Sequence, residues 1–193
     1  MTVHKGAMRV VGIDPGPVVG IVGIHIENGS RVNGWAALDV VQCDPGSLEA
    51  ILDGLYRSYQ FAVLIAVEPF VVGPRAARSH TPSAGQTTRE VHALVRRWAI
   101  REDISGCVER RAIDVKPWAT DARLDAAGLL APTKGMRHAR DAARHALFAA
   151  VKDCGVPDPL STRAERHNHI TRDIKPRGVC PGCDRYHDGA GAA

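Results

Sequence analysis

Two stretches of this chain run apolar and then stop on a carboxylate. "MRVVGID" ends at Asp14, and "FAVLIAV" is closed by Glu68. Both runs are short and rich in β-branched residues, the pattern of strands buried on both faces. A charge that closes a buried strand lies at the end of a sheet, where α/β folds keep their ligand sites. Whatever fold this chain adopts, it must bring those strand ends to a rim where acids can be tolerated.

The segments between these runs set the topology. Residues 18–26 alternate Gly with Val and Ile, a second strand, and Asn28-Gly29 is a hairpin signal leading into a third strand over residues 31–41. A turn, Asp44-Pro45-Gly46-Ser47, precedes a helix whose apolar face carries Leu48, Ile51, Leu52, Leu55 and Tyr59. Residues 61–67 form the fourth strand, and Pro69 stops it. Residues 70–86, rich in Gly, Pro, Ser and Arg, read as a long loop. Val91, Leu94, Val95 and Trp98 mark a second amphipathic helix, with Trp98 in the core. Residues 107–113 read as a fifth strand, and "KPWATDARLDAAGLL" as carrying a short helix. Residues 136–153 are Ala-rich and strongly helix-forming.

The order βββ-α-β-α-β-α predicts an α/β fold. Its sheet is five-stranded and mixed, a three-strand antiparallel meander plus two parallel strands, with the first strand central and helices flanking. From residue 155 the periodicity vanishes. Pro157, Pro159, Pro176 and Pro181 punctuate a tail with six Lys and Arg between Arg163 and Arg185. The expected organisation is a globular domain over 1–154 and a basic, Pro-rich tail over 155–193.

A length of 193 residues with 45% hydrophobic content suits one such domain with a small appendage. The formal charge of +4 permits a phosphate-rich partner without requiring one. No apolar run approaches the roughly 20 residues of a membrane span, and the first residues lack the apolar core of a signal peptide. A cytoplasmic protein with no membrane partner is expected. Five cysteines, an odd number, argue against a disulfide framework. Cys43, Cys107 and Cys154 are expected as free, buried thiols.

On adjacent parallel strands Asp14 and Glu68 would stand roughly 4.8 Å apart. Their repulsion is about 4 kcal/mol at an effective dielectric of about 20. Neither "GIDPGP" nor "AVEPFV" offers a cation, which favours a bound divalent ion over an ion pair or a shared proton. Oxygen ligands select Mg²⁺ or Mn²⁺. Two such ions about 3.5–4 Å apart suit in-line hydrolysis of a phosphodiester. The long helix offers further ligands in "RHARDAARHAL": His138 and Asp141 are i, i+3, and His145 continues the stripe. The plainer reading is a solvated helix face. Arg137, Arg140 and Arg144 beside Asp141 tilt the balance, because they would hold a polyanion. Ala143, Leu147, Ala150 and Val151 on the opposite face are expected to pack on the sheet edge.

These motifs, taken together, resemble the RuvC-type Holliday-junction resolvases, a branch of the RNase H-like nucleases. "VVGIDPGPVVGIVGI" resembles the family's first hairpin. "AVEPF" resembles its strand-end glutamate motif. "HARDAARHAL" resembles its last-helix motif, with His138 where a carboxylate also occurs. The resemblance spans about residues 8 to 153, and the compact form suggests a phage-type member. It implies an RNase H-like fold and two Mg²⁺ or Mn²⁺ ions. Asp14 would bridge both, Glu68 and Asp141 would each hold one, and His138 would complete the catalytic set. His145 is a further candidate ligand. The implied reaction is hydrolysis of branched DNA by a homodimer whose symmetry matches a four-way junction.

Around this core, Phe70 could stack on an unpaired base or cap the sheet. Arg75 and Arg78 in the long loop, and Lys116, Lys134, Arg137 and Arg144 near the site, are candidate DNA contacts. Asp121 and Asp125 read as solvated or capping. His25 and His92 read as ordinary structural or surface residues. In the tail, Cys180 and Cys183 with His187 have the spacing of a zinc knuckle, and His169 or His167 could be a fourth ligand. The competing reading is a basic tail with two free thiols. Two rival functions share much of this pattern: an RNase H-like nuclease acting on hybrids or flaps, and a non-catalytic DNA-binding protein held by a zinc tail. An actin-like ATPase also places an Asp-x-Gly in its first hairpin, but it needs two lobes, for which this chain is too short.

Overall fold

The computed structural model describes residues 8–26, 36–58, 62–69, 82–104, 106–161, 178–180 and 185–187. Five strands, β1 (Met8–Asp14), β2 (Val19–Ile26), β3 (Ala36–Cys43), β4 (Ala62–Val67) and β5 (Gly106–Glu109), form one sheet in the order β3-β2-β1-β4-β5. β1 is its central strand. It runs antiparallel to β2 and parallel to β4. β2 and β3 are antiparallel, and β4 and β5 are parallel. The sheet is the mixed one expected.

Helices cover both faces. On one, α1 (Leu48–Ser58) and α2 (Pro82–Arg101) bury Leu48, Leu52, Val91, Val95 and Trp98 against Val11, Ile13, Ile21, Ile65 and Val67. Trp98 Nε1 donates to Asp53 Oδ1 at 2.8 Å, and the Tyr56 ring meets Trp98 edge-on at 5.7 Å. On the other face lies α5 (Arg137–Lys152), whose Ala139, Ala142, Ala143 and Ala146 press on Val10, Val22, Ile24, Leu64 and Ala66.

The α5 face is bedded unusually low. A Cβ on Gly12 would stand 2.0 Å from the Ala142 carbonyl oxygen, and one on Gly20 would stand 2.1 Å from that of His138. No side chain fits between strand and helix at either point. For that reason α5 crosses β1 and β2 in the middle of the sheet and not at its edge, as the helix pattern alone suggests. The two glycines admit it there.

Several boundaries differ from the sequence expectation. α2 begins at Pro82, inside the segment read as loop; proline is tolerated in a first helical turn, where its missing N–H has no partner to lose. β3 is described from Ala36 and runs past the expected end to Cys43, its register set by β2 across a shift at Gly23/Ile24. Asp44 then caps the 3₁₀ turn Pro45–Ser47, accepting from Ser47 N at 3.1 Å. β5 ends at Glu109, and the last two residues read as its continuation open a helical turn, α3 (Ala112–Val115). α4 (Asp121–Ala126) is capped by Thr120. The tail is not featureless: β6 (Gly178–Cys180) and β7 (Arg185–His187) pair antiparallel. Strands of three residues are too short to register as periodicity.

Cys107 is exposed, pointing outward from edge strand β5, and Cys43 and Cys154 are only half-buried. The expectation of three buried thiols fails because two lie at the ends of elements and one on an edge. Among the described residues, no helix is long and apolar enough to cross a membrane.

Candidate active site

Register alone lines up the rim. Asp14 on β1 pairs with Gly20 on β2, and Gly20 pairs with Gln42 on β3. Ile13 pairs with Val67, so Glu68 follows next to Asp14, and Glu68 N donates to the Ile13 carbonyl at 3.3 Å. Paired residues in a sheet face the same side. Gln42, Gly20, Asp14 and Glu68 therefore form a single row, with a bare position in its middle. The first turn of α5 settles onto that bare position.

From there α5 delivers its polar stripe. His138 Nδ1 lies 2.8 Å from Asp14 Oδ2. One turn on, the buried Asp141 receives Lys116 Nζ on Oδ2 at 2.9 Å and an Arg144 nitrogen on Oδ1. Arg144 also donates to Asp121 at 2.6 Å and to the Ala119 carbonyl at 3.2 Å. One further turn on, His145 is 1% exposed. Its Nε2 stands 3.3 Å from Glu68 Oε2 without hydrogen-bond alignment, and neither ring nitrogen has a hydrogen-bond partner.

The acids sense one another. Burial pushes the Asp14 carboxyl above its usual range, Glu68 and Asp141 push it the same way, and the His138 bond only partly offsets them. Burial also pushes Asp141 upward, but Lys116 and Arg144 outweigh it and hold that carboxyl below its ordinary value.

The lack of a cation near Asp14 and Glu68 in sequence does not carry over to the fold. The residues next to Asp14 and Glu68 carry no cation, but the fold supplies basic partners from far along the chain: His138 to Asp14, His145 to Glu68, and Lys116 and Arg144 to Asp141. Among the described residues, no three His, Cys, Asp or Glu side chains form a ready metal cage. The donors nevertheless fit a hard divalent cation in kind. Carboxylates dominate, the central one is desolvated beside two others, and a buried imidazole stands beside Glu68 with both nitrogens unbonded.

Of the other candidates, Lys116 flanks Asp141 directly, and Lys134 and Arg137 are exposed nearby in sequence. Arg144 is framed by two carboxylates and a carbonyl. Asp121, half-exposed at the start of α4, is one of those carboxylates. Phe70, Arg75, Arg78, His169 and Cys183 lie outside the described residues. Cys180 and His187 lie on the β6 and β7 backbone, in a register that sets Cys180 opposite Arg185 and Gly178 opposite His187. Sequence reasoning missed Gln42, whose place in the row appears only once the register is known.

No protein-family model matches the chain, and no curated protein sequence matches it. Among solved structures it is similar to "T. thermophilus RuvC", determined in complex with a Holliday junction substrate. The TM-score is 0.56 at 18% identity, and the match covers 79% of this chain and 100% of that one. At that identity the likeness establishes the fold: this chain is built on the RuvC architecture, an RNase H-like mixed sheet flanked by helices.

Proposed function

We propose that this protein is a metal-dependent, structure-selective DNA endonuclease that resolves four-way junctions. The observation that carries the reading is the row at the sheet rim. Asp14 and Glu68 share the ends of neighbouring parallel strands, and α5 brings His138 and Asp141 over them. The RuvC architecture supports a nuclease, and a formal net charge of +4 is compatible with DNA.

In this reading Asp14, Glu68, His138 and Asp141 hold Mg²⁺ or Mn²⁺, with His145 behind Glu68. The ions, when bound, activate water and neutralise charge on the phosphodiester. The chain's own residues orient the site. Asp14, central and desolvated, is the acid with most to gain from a cation. Lys116, beside Asp141, would face a phosphate, as would the exposed Lys134 and Arg137. Phe70, Arg75 and Arg78 extend the DNA contact, Arg144 frames Asp141, and a homodimer places two sites on one junction. Residues 155–193 serve as an appended tail in which Cys180, Cys183, His187 and His169 bind structural Zn²⁺. The expected location is the cytoplasm, that of the host if the source is a phage.

The test is cleavage of a synthetic four-way junction, a hybrid duplex and a flap, each with Mg²⁺ and with Mn²⁺. Junction cutting with either ion is expected, and Asp14→Asn should lower it by about a thousandfold or more while junction binding persists. A thousandfold corresponds to about 4 kcal/mol of transition-state stabilisation. Preference for the hybrid or flap would defeat the resolvase reading, and binding without any cutting would favour a DNA-binding protein.

A further inference from the structure

α5 begins without a cap of its own. Met136, its N-terminal flanking residue, makes no side-chain capping bond. The first amide groups of a helix have no partner within it, and here they are satisfied from across the sheet. Gln42 Oε1 accepts from His138 N at 2.8 Å and from Ala139 N at 3.2 Å. Gln42 stands on β3, some 96 residues away in sequence and two strands from Asp14.

We infer that Gln42 is a positioning residue for the metal site: it fixes the first turn of α5 so that His138 meets Asp14. The inference rests on the nuclease reading given above. Three contacts fix that turn. Gly20 beneath it permits backbone contact, with His138 O as the nearest atom to any added Cβ. Asp14 holds the His138 ring from one side of Gly20. Gln42 holds the His138 amide from the other. The three residues are paired in one row, so the helix start is gripped between an acid and an amide over a bare saddle. Glycine fixes only how low the helix sits. The paired bonds from Gln42 fix where it sits along the strands, and with that the reach of the His138 ring. Outer residues that orient a ligand in this way are worth roughly 10–100-fold in metal affinity.

The experiment is Mn²⁺ binding to the full chain, followed by electron paramagnetic resonance well below the unfolding temperature. Wild type, Gln42→Leu, His138→Ala and the double variant are compared, with thermal unfolding measured on each. Gln42→Leu keeps the volume and loses the acceptor. It should weaken Mn²⁺ binding about tenfold in a protein that is still folded, and it should add nothing in the His138→Ala background. Gln42→Glu, which keeps an oxygen acceptor facing the helix start, should restore binding. Lowered thermal stability with unchanged Mn²⁺ affinity would overturn the inference and leave Gln42 a simple cap. An equal loss with and without His138 would overturn it too. Failure of wild type to bind Mn²⁺ would remove both this inference and the nuclease reading, whereas normal binding in Gln42→Leu would remove this one alone.

Discussion

The two faces of the sheet are packed by different rules. Under α1 and α2, bulky side chains hold helix and strand apart: Leu48, Leu52, Val91, Val95 and Trp98 interdigitate with Ile and Val. Under α5, alanines meet glycines, and at Gly12 and Gly20 the helix touches backbone. The first face maximises apolar burial and carries little chemistry. The second gives up side-chain volume for closeness, and closeness lets an acid on a strand reach a histidine on a helix. The difference teaches that the site depends on what is missing from β1 and β2 as much as on the charged residues present.

That contrast can be tested by breaking each face in its own way. On the α1/α2 face, Leu52→Ala should leave a cavity that costs about 2–5 kcal/mol, read from denaturant unfolding. Cleavage per folded molecule should not change, because Leu52 lies on the face away from the acids. On the α5 face, Gly20→Ala adds one methyl where there is no room. Overpacking of this kind costs about 1–3 kcal/mol or more, comparable with the cavity. Yet it should lower junction cleavage by more, because the first turn of α5 must lift away from Asp14. Equal activity losses in the two variants would end the distinction.

The smallest effect concerns pH. The folded Asp14 carboxyl lies above its usual range, chiefly through burial, so its ionised form costs the folded state stability. This group's favourable contribution is complete below the pKa of a free carboxyl and is lost as pH rises through the raised value. In chelator, Asp14→Asn should therefore unfold at a higher temperature than wild type at pH 7. The gap should narrow on acidification and close below about pH 4, where free carboxyls also protonate. Asp141 runs the other way. Lys116 and Arg144 overcome its burial and lower its pKa, so its stabilisation holds at neutral pH and fades only below about pH 4. A gap that widens toward acid would contradict the assignment for Asp14.

Much of this was legible in the sequence, for identifiable reasons. The strand cores of β1, β2 and β4 announce themselves because they are unbroken or nearly so, and β1 can be placed at the centre from the order of elements. The stripe of His138, Asp141 and His145 follows from helical spacing alone. What was hidden depends on pairing between distant segments. Gln42 looks like any polar residue at the end of a strand until register sets it beside Gly20. The partners of Asp141 were invisible for the same reason, since Lys116 follows a helical turn whose first two residues read as the end of a strand. Pro82 concealed the start of α2, because proline signals loop and helix start equally well. Nothing local told Gly12 and Gly20 apart from ordinary strand glycines; only α5 lying on them reveals their use.

The grip of Gln42 on α5 leaves one further mark. A helix start usually offers bare amide donors and a partial positive charge, a ready seat for a phosphate. Here the amides of His138 and Ala139 are already occupied by a side-chain oxygen. On the proposed reading, an incoming backbone phosphate would find that seat taken, and its negative charge would have to be met by ammonium and guanidinium groups and by the ions the acids would hold.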